Sequence, residues 1–275
     1  MTNTFEQEVR EGARFEFGKN WARFLESLSE ERVRNATDSL RRLLGTSDLS
    51  DKHFLDIGSG SGLFSLAARR MGASVCSFDY DPQSVACAEE LKRRYCPGDV
   101  NWRVERGSVL DRDYLKSLGE FDVVYSWGVL HHTGSMWDAL DHAAIPVKAA
   151  GGRLIVAIYN DQENRSRRWL RVKKLYCSGP AGRLLVSSYY IPKFVVRGAF
   201  SDIRNGVSPL RRYAEASSRG MSVVRDWFDW LGGLPFEVAK PEEIFRFYRD
   251  RGFDLEEMTT VGGALGCNEF VFRRK

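Results

Sequence analysis

Asp56, Gly58, Gly60 and Gly62, followed at Asp79 by a second carboxylate, are the residues whose types and spacing best suit holding a ligand. They sit in FLDIGSGSGLFSLAARRMGASVCSFDYD (54–81), which reads as an apolar strand, a glycine-rich turn, a helix, a second strand and an acidic end. Glycine lets the backbone approach a ligand without a Cβ in the way. An acidic residue ending the second strand of such a unit accepts hydrogen bonds from ribose hydroxyls. Dinucleotide sites space their glycines G-x-G-x-x-G and seat a pyrophosphate on the helix N-terminus. Here the spacing is G-x-G-x-G, and Leu63 stands where the third glycine of that pattern would be. Asp56, two residues before the first glycine, would repel a pyrophosphate and attract a cation. The set therefore asks for a ligand with a ribose, no phosphate and a positive ammonium.

Those side chains need a frame. Strands read at 53–57, 75–79, 101–105, 121–126 and 153–159 and alternate with helices, the pattern of a parallel sheet covered on both faces. Asp81 caps a helix that Pro82 opens. Ser135 starts another, with Asp138 completing a capping box and AAGG (149–152) ending it. Upstream, residues 4–28 and 29–44 read as helical, the second capped by Ser29, with Glu30 and Glu31 in its first turn and Gly45 as its stop. Past the fifth strand the alternation lapses. Within that stretch ENRSRRWLRVKKLYC and SVVRDWFDWLGG are helical in character, and GRLLVSSYYIPKFVVRGAF is apolar with basic punctuation. Pro241 then opens a helix closing at Gly252, followed by FDLEEMTTV and CNEFVF. These last two strands are too close for a crossover helix and should pair antiparallel. The expected fold is α/β, a doubly wound seven-stranded sheet, mostly parallel, with an antiparallel last strand at the edge. The expected organisation is an N-terminal helical segment (1–50), a Rossmann-like core (51–160), a helical basic lid (161–238) and the end of the core (239–275).

Composition narrows the class. Of 275 residues 43% are hydrophobic and 28% charged, enough for a full core under a charged surface. No run reaches the ~20 apolar residues that span a bilayer, and the mixed-charge N-terminus does not read as a secretory signal. Cys76, Cys87, Cys96, Cys177 and Cys267 lack C-x-x-C spacing, which argues against a disulfide framework and a zinc site and for a cytoplasmic protein. The net charge is +4, but residues 160–225 hold 14 Arg and Lys against four Asp and Glu. That leaves the rest of the chain slightly acidic.

LDIGSGSG resembles the first motif of class I S-adenosylmethionine-dependent methyltransferases, and SFDYD their second-strand acidic motif. RGSVLD, FDVVYSWGVLHHT and GGRLIVAIYN fall where that family has its third, fourth and fifth strand ends, and RGFDLEEMTTVG…CNEFVF resembles its closing hairpin. The likeness covers about residues 50–160 and 240–275 and is greatest to small-molecule O-methyltransferases of the ubiquinone-biosynthesis kind. It implies S-adenosylmethionine as cofactor and S-adenosylhomocysteine as product. It also implies that Asp79, beside Tyr80, binds the ribose hydroxyls. Asp56 would hold the methionine amine, and Gly58, Gly60 and Gly62 would form the loop around the methionine part. Ser108 stands where many relatives carry an acidic residue reading the adenine amino group, so that contact is either weaker here or passes to the Val109 backbone or to Asp111. Trp127 is a candidate to close over the cofactor.

Methyl transfer to a hydroxyl needs in-line placement and removal of a proton, for which histidine is suited near neutrality. His53 and His142 lie in a strand start and a helix. His131 and His132 follow the fourth strand at the ligand end, and His132 is the favoured base, the other reading being that the pair caps its loop. Tyr159, Asn160, Asp226, Trp230 and Asn268 are candidates to border the acceptor. The basic insert fits an acidic or carrier-bound small molecule, an anionic membrane or lipid-linked substrate, or RNA. The tetrapeptide after the fourth strand, SWGV, is unlike the N-P-P-Y of base N-methyltransferases, so small-molecule O-methylation leads. A non-catalytic cofactor-binding partner protein is the alternative of a different class. The acceptor atom stays open among O, N, C and S.

Overall fold

The computed structural model describes residues 4–18, 25, 28–208 and 223–275. Short α1 (Phe5–Arg10) and α2 (Glu30–Leu44) precede an alternating core of β1 (His53–Ile57), α3 (Leu63–Arg70), β2 (Ser74–Asp79), α4 (Pro82–Tyr95) and β3 (Trp102–Arg106). It continues through α5 (Arg112–Ser117), β4 (Val123–Trp127), a 3-10 turn (Leu130–His132), α6 (Met136–Ala143) and β5 (Arg153–Tyr159). Among the described residues three helices follow, α7 (Asn164–Cys177), α8 (Pro180–Arg204) and α9 (Val223–Gly232), before α10 (Pro241–Arg249), β6 (Phe253–Thr259) and β7 (Cys267–Arg274).

The sheet runs β3-β2-β1-β4-β5-β7-β6. β1 pairs in parallel with β2 on one side and β4 on the other, so strand order reverses between β1 and β4. A crevice opens at the carboxyl ends of strands on either side of such a reversal. Asp56, Asp79, Trp127 and Tyr159 lie at or next to those ends. β7 is antiparallel to both β5 and β6. The reversed strand therefore lies one in from the edge, because the hairpin folds β7 back into the gap beside β5 and leaves β6 outermost.

The pleat sends alternate residues to opposite faces, and two buried clusters result. Leu55, Ile57, Phe78 and Val124 pack with α6 and α10 residues on one face. Phe54, Val75 and Tyr125 pack with Leu40, Leu66 and Trp102 on the other. A third, smaller cluster of Tyr176, Val186 and Leu231 ties α7, α8 and α9 together. No described helix is long and apolar enough to cross a membrane.

Three local expectations are corrected. The helix expected over 4–28 is interrupted after Arg10, because Gly12 turns the chain at φ 69° and residues 13–17 run on without helix, while Gly18 and Leu25 are again helical. Ser135 makes no side-chain cap at α6. The Glu237 carboxylate does that work, accepting the N–H of Gly134 at 3.0 Å and of Met136 at 3.1 Å. α6 also ends at Ala143, well before AAGG. Ser29, Gly45 and Asp81 cap their helices and Pro82 opens its helix, as expected.

Candidate functional site

Gly58, Gly60 and Gly62 turn the chain from β1 into α3, with φ of 72°, 54° and 78°. Side chains disfavour that region, which is why glycine recurs here. Gly58 has no room either, since a Cβ there would lie 2.3 Å from Cγ1 of Val129. The turn is clamped to the end of β2. The Gly58 and Ser59 N–H groups donate to the Phe78 carbonyl at 2.9 and 3.1 Å. The Gly60 N–H donates to one Asp79 oxygen at 2.9 Å, and the Asp81 N–H donates to the other at 2.9 Å. Each carboxylate oxygen keeps further acceptor capacity.

Asp56 is buried beneath the turn, and the Ser65 hydroxyl donates to it at 2.6 Å. Burial pushes its carboxyl up to about 7 against that hydrogen bond, and the nearby Asp79 adds to the rise. Burial likewise pushes Asp79 up to about 6, against the Asp81 and Gly60 hydrogen bonds. With both values raised, the folded protein holds protons that the unfolded chain has released. These groups therefore cost stability as pH rises from about 4 through 7. A cation bound between them would remove that cost.

The two carboxylates line a cavity of about 1110 Å³. Tyr80, Ser108, Val109 and Trp127 line it too, as do His132, Tyr159 and Trp230 further along. Trp127 is oriented by its indole N–H, which donates to Glu269 at 3.0 Å. Ser108 is a turn residue whose hydroxyl accepts the Leu110 N–H at 3.2 Å. Asp111 caps α5, accepting from Asp113 and Tyr114.

The two histidines part company. His131 is fully buried and does not line the cavity. The Tyr159 N–H donates to its Nδ1 at 3.4 Å, and its ring lies 3.9 Å from that of Tyr159. Burial, then the charges of His132 and Lys173, hold it well below the usual imidazole range. His132 has its Nδ1 at 2.6 Å from the Pro235 carbonyl. A carbonyl only accepts, so Nδ1 carries the proton and Nε2 is left with its lone pair. Burial pushes His132 down to about 3 despite that bond, with Lys173 and Arg14 adding to the fall. The imidazole is therefore neutral across the physiological range.

Asn160 and Asn268 do not join this cavity. The Asn268 amide donates to Asn160 at 3.1 Å and its oxygen accepts the Val261 N–H at 3.1 Å, and both line a separate hollow of about 400 Å³. Their expected place beside the acceptor is corrected on that ground, since buried amides so engaged pin the β5–β7 ends together. The Asp226 side chain lies outside the described residues.

Residues 28–190 match the family described as a methyltransferase domain. The chain belongs to the class I S-adenosylmethionine-dependent methyltransferases. A ubiquinone biosynthesis O-methyltransferase from Paramagnetospirillum magneticum is 35% identical over 97 residues, which is 35% of this chain and 36% of that protein. A ribosomal protein L11 methyltransferase from a Psychrobacter species is 29% identical over 120 residues, 42% of this chain and 37% of that one. The chain thus spans little more than a third of these curated relatives. Among solved structures, magnesium protoporphyrin IX methyltransferase from Synechocystis with bound S-adenosylhomocysteine matches with a TM-score of 0.55. It is 15% identical, with 94% of each chain covered. The N-methyltransferase NodS of Bradyrhizobium japonicum matches at 0.51 and 17% identity, with 99% of each covered. At such identities the likeness is one of fold.

The cavity of this methyltransferase fits its cofactor. Buried Asp56 and half-buried Asp79, both with raised pKa values, suit a ligand bearing an ammonium and a ribose diol and would repel a pyrophosphate. The Ser59 hydroxyl, which lines the same cavity, is buried with no hydrogen-bond partner among the described residues. Among the described residues no group of three or more His, Cys, Asp or Glu side chains could hold a metal ion.

The N-terminal segment was missed as part of the site. Phe5 sets its ring edge-on to Tyr80 at 5.6 Å, and the Arg14 guanidinium lies 5.1 Å over the same ring. Arg14 also donates to the His132 carbonyl at 3.0 Å, and the Gly18 N–H donates to Asp81 at 2.8 Å. Residues 4–17 therefore roof the cavity and touch both the cofactor-side loop and the histidine turn. The signal was present in GARFEFG, a glycine-bounded aromatic cluster unlike a helix interior.

Proposed function

We propose that this methyltransferase moves the methyl group of S-adenosylmethionine to a hydroxyl oxygen of a small molecule, with His132 accepting the hydroxyl proton. The cofactor supplies an electrophilic methyl on a sulfonium. Asp79 would take the two ribose hydroxyls, and Asp56 the methionine ammonium, while the Gly58–Gly60 backbone follows the methionine part. Val109 and Ser108 would border the adenine, and Trp127 would close one side. On the acceptor side Tyr159 and Trp230, whose rings meet at 5.5 Å, would wall the substrate against His132. The helices α7–α9 and residues 233–238 form the lid over that end.

The observation that carries this reading is the His132–Pro235 bond. It fixes the tautomer, with the protonated nitrogen engaged and the Nε2 lone pair free, and negative charge developing on a bound hydroxyl would offset the burial that lowers the imidazole's own affinity for a proton. The lid residues and the base are thereby one unit, because Pro235 holds His132 and Glu237 holds Gly134 and Met136 just after it.

The test is transfer from methyl-labelled cofactor to matched catechol, aniline and thiophenol carboxylates at equal concentration. Label is expected on the catechol oxygen, at a rate about tenfold or more above the others, since a base is needed only where a poor nucleophile must lose its proton. Label appearing first on nitrogen or sulfur would overturn the hydroxyl assignment.

A further inference from the structure

The long helix α8 is apolar on two sides. Its inner side packs within the insert, with Tyr190 5.1 Å from Trp169 and Phe194 5.7 Å from Trp227. On its outer side Leu185, Tyr189, Val196, Phe200 and Ile203 are 61–69% exposed. At 3.6 residues per turn these five fall within an arc of about 60° and run for about 27 Å. An apolar stripe of that length on a surface marks a contact with something else.

Charge says what that something is. Residues 164–208 carry ten Arg and Lys against one acidic residue, Asp202. Lys193, Arg197 and Arg204, all exposed, follow one flank of the stripe. A second copy of this chain would bring two such basic segments together and be repelled. An anionic lipid surface offers acyl chains to the stripe and headgroups to the flank, the pairing an in-plane amphipathic helix makes. We propose that α8 docks this methyltransferase onto an anionic bilayer, lying in the plane of the interface without crossing it.

The docked face communicates with the cavity. Trp169 stacks edge-on to Trp230 at 5.2 Å, and Trp230 meets Tyr159 at 5.5 Å, so an aromatic chain runs from Tyr190 on α8 to the end of β5. A bilayer under α8 would therefore lie against the lid of the acceptor end. The docking does not depend on which atom is methylated or on the role of His132.

The full chain would be pelleted with vesicles of phosphatidylcholine alone and with vesicles containing about one third phosphatidylglycerol. Binding is expected to the anionic vesicles only, weakened by salt. Leu185→Glu with Phe200→Glu, and separately Lys193→Glu with Arg197→Glu, should each lower the bound fraction about tenfold or more. Both pairs are on the exposed surface, so stabilisation by S-adenosylhomocysteine should be kept and reports an intact fold. Failure of the wild type to pellet with anionic vesicles would overturn the proposal. So would binding that survives Leu185→Glu with Phe200→Glu. A wild-type dimer that this pair of substitutions dissociates, without vesicle binding, would assign the stripe to a second copy instead.

Discussion

Asp79→Ala is expected to weaken S-adenosylhomocysteine binding by about a hundredfold or more. Hydrogen bonds to a charged carboxylate contribute about 1.5–3 kcal/mol each, and the ribose diol offers two, so the direct loss is about 10²- to 10⁴-fold. The same carboxylate clamps the glycine turn through the Gly60 N–H and the next helix start through the Asp81 N–H. Its removal loosens the backbone that follows the methionine part as well as the ribose contact. Asp79→Asn keeps the shape and an acceptor oxygen and should lose less. Thermal shift separates the cases. A ligand at ~100 times its dissociation constant adds about 2.7 kcal/mol to wild type, a rise of a few degrees for a chain of this size. That rise should vanish in Asp79→Ala. A rise of the same size in the variant would place the cofactor elsewhere.

His132→Ala is expected to lower kcat about 10²- to 10³-fold with little change in cofactor affinity, the range for loss of a positioned base. Its neighbour gives the contrast. His131 is buried away from the cavity and packs on Tyr159, so His131→Ala should cost stability through the hole it leaves rather than act on the chemical step. The pH profile distinguishes the two roles of His132. Because burial holds it near 3, it stays unprotonated, and no loss of rate should follow from imidazole protonation between about pH 6 and 8. A His132→Ala enzyme with wild-type kcat would leave positioning alone to account for the rate.

The core was legible because each of its elements carried a local signal. The G-x-G-x-G turn, Asp79 nineteen residues after Gly60, and the caps at Asp81 and Ser29 all act through neighbours in sequence. Of the two adjacent histidines, His132 lines the cavity and His131 does not, a difference that their shared position after the fourth strand does not encode. What escaped was long-range. The cap of α6 comes from Glu237, a hundred residues on, while Ser135 and Asp138 imitate a local capping box. The N-terminal roof depends on contacts from Arg14 to Tyr80 and His132, which no periodicity encodes. α8 was read as an apolar run because Pro192 and an apolar outer side blur a helical pattern that assumes one wet face. Asn160 and Asn268 were placed at the acceptor because strand ends usually border ligands, but here they satisfy one another.

The most direct measurement is a calorimetric titration of S-adenosylhomocysteine into the wild type across pH. The ligand's ammonium favours ionised Asp56 and Asp79, whose carboxyls stand near 7 and 6 in the free protein. Binding below those values must therefore expel protons, and affinity should fall by up to about tenfold per pH unit for each proton released. The expected result is tight binding at about pH 7.5, weakening at least tenfold by about pH 5.5, with net proton release near pH 6.5. An affinity that stays flat over that range in folded protein, or no binding heat even at the higher pH, would contradict a cofactor held between these two carboxylates.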